Sequence, residues 1–115
     1  MGLPWERRLR QRRRFEEVYR RGRTWTSRWL VLKALPGPET STRIGIAVGK
    51  ALGPAVLRHK IQRRLREALR PQELALGWDL VLIARPPLGE ASFSQVSQAV
   101  TEILERAHMT QSQDQ

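Results

Sequence analysis

The sequence predicts an α+β protein, an α/β sandwich in which helices pack mainly on one face of a small mixed or antiparallel sheet. Three observations carry this. Segments 54–70 and 92–107 repeat apolar residues at helical spacing, each behind a recognisable start. Runs 25–35, 42–48 and 78–84 are short, aliphatic or β-branched, and bounded by proline or glycine. A third helical pattern precedes them all, so the order is α, two or three strands, α, β, α.

The chain opens with a basic arm over residues 1–11, whose sizeable apolar groups are Leu3, Trp5 and Leu9. The first helix is expected over Arg12–Arg21. Phe15, Val18 and Tyr19 share one face there, and Gly22 marks its stop. Trp25 to Leu35 is strand-like, with Trp29, Val31 and Lys33 alternating against Leu30, Leu32 and Ala34. Pro36-Gly37-Pro38 forces a turn. Thr42 to Val48 is a second strand carrying Ile44, Ile46 and Val48 on one side.

Gly53-Pro54 then introduces a helix reaching Arg70. Leu57, Ile61, Leu65 and Ala68 form its apolar stripe, with Leu69 at the edge. His59, Arg63, Arg66 and Arg70 lie opposite, while Arg58, Lys60 and Arg64 flank the stripe. Pro71 ends it. A buried strand spans Trp78 to Ala84, closed by Arg85-Pro86-Pro87. Ser92 and Gln95 make a capping box for the last helix, whose core face reads Phe93, Val96, Val100, Ile103, Leu104 and Ala107. Residues 12–108 thus form one domain, and 109–115 a polar tail expected to fray.

The 115 residues carry a net charge of +10, placed unevenly. Residues 1–70 hold 19 of the 21 basic residues and 5 of the 11 acids, whereas 71–115 hold 2 and 6. Arginine outnumbers lysine 18 to 3; it offers phosphate a planar fork and can stack on bases. Codon bias raises arginine everywhere, so the concentration in one half is the stronger sign of a polyanionic partner. Glu67 is the one acid on the basic helix, which leaves few of its cations neutralised by i, i+4 pairing. A solvated basic face without a partner is the plain alternative. Absence of cysteine excludes disulfides and thiolate metal sites, and no apolar run spans a membrane. No secretory leader is legible, so a soluble cytoplasmic protein is the expectation.

At this point the residues match a family. Lys50-Ala-Leu-Gly-Pro-Ala-Val-Leu-Arg58-His59-Lys60-Ile-Gln62-Arg63-Arg64-Leu-Arg66-Glu67 resembles the signature of the bacterial ribonuclease P protein subunit. Its core is an Arg-Asn-Arg motif, written Arg58-His59-Lys60 here; Gln62 replaces a usual lysine and Pro54 a usual asparagine. Arg8-Leu9-Arg10 with Phe15, Val18-Tyr19 and Gly22 resembles the family's first helix. Arg43-Ile44-Gly45-Ile46 resembles the strand ahead of the lysine, and Gly77-Trp78-Asp79 through Arg85-Pro86 its last strand.

The resemblance implies a fold of the ribosomal protein S5 domain 2-like type, order α-β-β-β-α-β-α, with a left-handed βαβ crossover. It implies a partner, the ribonuclease P RNA subunit, which with bound Mg2+ removes the 5′ leader of precursor tRNA, so the chain serves an endoribonuclease without supplying its catalytic groups. It further implies that Arg58, His59, Lys60, Arg63, Arg64 and Arg66 face the RNA subunit. Phe15, Tyr19, Lys33, Arg43 and Lys50 would then border the cleft that takes the leader.

Several of these residues have two readings. Phe15 and Tyr19 are a core pair or exposed rings that stack on unpaired bases, a contact worth about 1–3 kcal/mol per base and tolerant of sequence. Arg43 holds a phosphate or lies on a solvated rim; Lys50 contacts phosphate or ends a strand. His59 stacks on RNA or is a plain surface histidine. Asp79 is a structural cap or a metal or acid–base group. Two histidines, no cysteine and scattered acids give no catalytic constellation and no metal site in the chain itself. The alternative function is a ribosomal or general RNA-binding protein with no part in catalysis.

Overall fold

The computed structural model describes residues 8–110. Their order is α1 (Arg12–Arg21), β1 (Arg23–Thr26), β2 (Leu30–Pro36), β3 (Arg43–Ala47), α2 (Ala55–Leu69), β4 (Trp78–Ala84) and α3 (Phe93–Arg106), with 3-10 turns at Lys50–Leu52 and Pro86–Glu90. The four strands form one mixed sheet in the order β1-β2-β4-β3. β1–β2 and β2–β4 pair antiparallel, while β3 and β4 pair parallel across the α2 crossover. The arm joins at its inner end, where the Leu9 amide donates to the Ile44 carbonyl at 3.2 Å. Residues 1–7 and 111–115, including the Leu3 and Trp5 part of the arm, lie outside the described residues.

Strand alternation divides the side chains between two faces. Leu30, Leu32, Ala34, Leu80, Leu82 and Ala84 point to one face and form the main core with Ile61, Leu65, Leu69, Val96, Val100, Ile103 and Leu104 of α2 and α3. Asp79, Val81 and Ile83 point to the other, where Val81 packs with Leu9 and Val18, flanked by Phe15 and Leu35. Two of the three helices, α2 and α3, thus share one face as expected, and α1 covers the reverse side of the sheet. Only its Val18 is fully buried. That narrow contact leaves the sides of α1 open.

Other differences are local. The single strand-like run 25–35 is a hairpin: Ser27 turns it, its hydroxyl accepting from the Trp29 and Leu30 amides at 3.1 Å. Phe93 is exposed on the first turn of α3 instead of facing the core, because Ser92 and Gln95 cap the helix there. Met109, assigned by sequence to the polar tail, is buried, and its carbonyl accepts from the Ala75 amide at 2.7 Å. Its side chain joins the main core cluster, which no helical periodicity announces.

Candidate nucleic-acid interface

α2 sits on the core through Ile61, Leu65, Ala68 and Leu69, with Leu57 half-buried at its start. Docking by that stripe turns His59, Lys60 and Arg63 outward, all three exposed. None of the three makes an ion pair among the described residues. Two flanking cations are tied down instead. Arg58 donates from Nε to the Gly53 carbonyl at 3.1 Å, and Arg64 from Nη1 to the Ala91 carbonyl at 2.9 Å. Arg64 thereby pins α2 to the start of α3, a role its place in the basic run does not disclose.

On the reverse face, Phe15 and Tyr19 project from successive turns of α1. Phe15 is half-buried because it lies against Gly45 of β3: a Cβ placed on Gly45 would stand 2.7 Å from Phe15 Cε2. A glycine inside a strand marks such a close approach, so this contact was legible in principle. Tyr19 is 50% exposed, and Lys33 of β2 holds its ammonium 5.2 Å from the ring centroid. An open depression of about 660 Å³ runs along this side of α1, lined by Arg12, Phe15, Glu16, Tyr19 and Arg20. A smaller concavity of about 150 Å³ lies where the arm, α1, β3 and α2 meet, and Phe15, Gly45, Gln62 and Arg66 all line it.

Phe15 and Tyr19 thus line one depression, with Lys33 over the Tyr19 ring, and Arg66 of α2 shares the smaller concavity with Phe15. Arg43 and Lys50 are not neighbours of each other. Arg43 is the first residue of β3 and Lys50 lies three residues past its last, along a strand whose rise is about 3.3 Å per residue. Arg43 shares the sheet face of Gly45 but turns to Asp79, donating from Nε to Oδ1 at 2.8 Å and from Nη2 to Oδ2 at 2.7 Å. Lys50 is exposed on the 3-10 turn that follows β3.

Asp79 is fully buried. Its Oδ2 also accepts from Arg14 Nε at 2.7 Å, and Arg14 reaches on to Glu17 Oε1 at 2.9 Å and the Pro36 carbonyl at 2.6 Å. Burial pushes the Asp79 carboxyl up, but the hydrogen bonds from Arg43 and Arg14 outweigh it and hold the group below its ordinary 3.8. Both guanidinium pKa values rise in return. With both oxygens occupied by cations, Asp79 is a structural anion and not a free metal or acid–base ligand. Among the described residues no group of three or more His, Cys, Asp or Glu could hold a metal ion. No helix among them is long and apolar enough to cross a membrane.

Fold and surface together define a small α+β protein with a docked cationic helix beside a groove of partly exposed aromatic rings. The ribonuclease P family model matches residues 3–108. A ribonuclease P protein component of Roseiflexus castenholzii is 45% identical over 108 residues, 90% of this chain and 88% of the relative. One from Geobacillus kaustophilus is 35% identical over 103 residues, covering 87% of this chain and 85% of the relative. Among solved structures, the RNase P protein of Staphylococcus aureus superposes with a TM-score of 0.80 at 28% identity, covering 91% of this chain and 98% of that one. That of Thermotoga maritima gives 0.78 at 28% identity, with 86% and 96% covered. The chain belongs to the bacterial ribonuclease P protein family.

Proposed function

We propose that this chain is the protein subunit of ribonuclease P, binding the RNA subunit through α2 and the 5′ leader of precursor tRNA along α1. The observation that carries the proposal is the continuity of the two surfaces. Gln62 and Arg66 of α2 line the same concavity as Phe15 and Gly45. Single-stranded RNA leaving a helical partner on α2 therefore meets the aromatic groove directly. Lys60 and Arg63, without an ion-pair partner among the described residues, supply charge for the structured RNA; His59 is exposed beside them, and Arg66 stands at the junction. Arg58 and Arg64 each spend a donor on a backbone carbonyl and keep others for phosphate. Phe15 and Tyr19 offer ring faces to unpaired bases; Lys33, now over Tyr19, is placed to move onto a phosphate as a base displaces it. Lys50 and the third nitrogen of Arg43 mark the two ends of the track.

The chain holds and orients RNA. Hydrolysis is assigned to the RNA subunit, whose bound Mg2+ supplies the activated water. Solvation of the groove suits leaders of any sequence, since stacking does not read base identity.

Reconstitution tests the proposal. Addition of the purified chain to ribonuclease P RNA is expected to restore precursor cleavage at low magnesium. Binding of RNA without restored cleavage would instead identify a general RNA-binding protein.

A further inference from the structure

The buried ion cluster on the reverse face joins four separate segments. Asp79 belongs to β4, Arg43 to β3 and Arg14 to α1, and the Pro36 carbonyl that Arg14 also holds ends β2. Gly37 packs on the carboxylate so closely that a Cβ there would lie 2.8 Å from Asp79 Cγ. All of this sits beside the aromatic groove. Arg14 immediately precedes Phe15, while Arg43 lies two residues from Gly45 on the same face of β3. Val81, two residues beyond Asp79, carries the apolar contact of α1.

A helix whose one fully buried side chain is a valine, with Phe15 half-buried beside it, can slide or tilt on an aliphatic sheet, because apolar contact is not directional. Arginine–carboxylate pairs are directional, with fixed in-plane donor geometry. Buried ion pairs add little net stability over an apolar replacement, and their best-attested use is to fix one arrangement among several. Building this cluster where leucine would pack is therefore a matter of position. We infer that Asp79 is a positioning residue for the groove, setting through Arg14 and Arg43 the spacing between α1 and the sheet at which Phe15 and Tyr19 accept unpaired bases.

The inference rests on the proposed leader-binding role, and its test separates the two. Holoenzymes reconstituted with ribonuclease P RNA are compared for affinity toward precursor tRNA with and without its 5′ leader, alongside RNA-subunit affinity and a thermal melt. Asp79→Asn keeps the shape and removes the charge. Its leader contribution is expected to fall at least about fivefold, the low end of one lost base stack, with RNA-subunit affinity unchanged in protein shown to be folded by circular dichroism. Gly37→Ala leaves every charge in place and intrudes on the carboxylate. It is expected to lower the leader contribution in the same direction, and it carries the test if Asp79→Asn does not fold. A folded variant with an intact leader contribution overturns the inference, as does a parallel loss of RNA-subunit affinity, which marks general destabilisation. A wild-type holoenzyme with no leader contribution overturns the leader-binding reading itself.

Discussion

Gly45→Ala perturbs the groove with a single methyl group. The added Cβ would stand 2.7 Å from Phe15 Cε2 and 2.9 Å from Cδ2, while Leu9 Cβ, at 3.6 Å, is an ordinary neighbour. Carbon atoms pack at about 3.5–4.0 Å, so the ring must withdraw by roughly 1 Å. A phenyl ring has no flexible end to bend away, and Leu9 and Val81 close its inner side. It can only rotate outward, away from the position a stacked base would share. The cost to folding is that of modest overpacking, about 1–3 kcal/mol. The cost to leader binding is up to one base stack, about 1–3 kcal/mol, or roughly 5- to 150-fold.

The assay is fluorescence anisotropy of labelled precursor and mature-ended tRNA on the reconstituted holoenzyme, with the affinity ratio as readout. Phe15→Ala sets the ceiling. Gly45→Ala is expected to lose a large part of what Phe15→Ala loses, with no change toward mature-ended tRNA. If Phe15→Ala removes the leader contribution and Gly45→Ala retains all of it, the steric reasoning is refuted. If neither changes the ratio, Phe15 takes no part in leader binding.

Two further predictions separate charge that holds RNA from charge that holds the fold. Arg63→Ala is expected to leave urea stability within about 0.5 kcal/mol and to reduce the log–log salt slope of RNA-subunit binding by about 0.7–0.9, one phosphate contact. Arg64→Ala is expected to lower stability by about 1–3 kcal/mol, because it strips the Ala91 carbonyl of its charged donor; equal stability of the two variants would refute the distinction. The Asp79 carboxyl is held below 3.8 in the folded protein, with Arg14 and Arg43 facing it and Glu17 beyond Arg14. Its stabilisation is complete above the unfolded value near 3.8 and is lost as pH falls through the lowered folded value. Urea titrations are expected to show wild-type stability dropping more steeply below about pH 4 than that of Asp79→Asn, and parallel acid limbs would refute this.

Much of the architecture was legible because periodicity reports local geometry. The α2 stripe of Ile61, Leu65 and Ala68 and the Ser92–Gln95 capping box lie where the chain announces them. Phe93 misled because a helix-periodic position in the first turn lies past the edge of the core. The hairpin at Ser27 was hidden because Trp25 and Thr26 before it and Trp29 to Leu35 after it are mostly strand formers, so the run reads as continuous. Met109 is held by Ala75 and Leu104, neither of which is near it in the spacing that a helix pattern inspects.

The site divides along the same line. The sequence by itself determined that charge gathers in the first 70 residues and that one helix carries an apolar stripe with cations around it. Both are one-dimensional properties of composition and period. Tertiary structure decided what each cation does, since Arg63 and Arg64 are adjacent in the chain yet one faces solvent and the other a carbonyl. It gave Arg43, for which the sequence left a phosphate contact or a solvated rim open, a partner in Asp79, 36 residues away. It also set α1 on the reverse face of the sheet and so created the groove. Pairing across such separations depends on which strands become neighbours, and hydrophobic patterning fixes the face of each strand without fixing its place in the sheet.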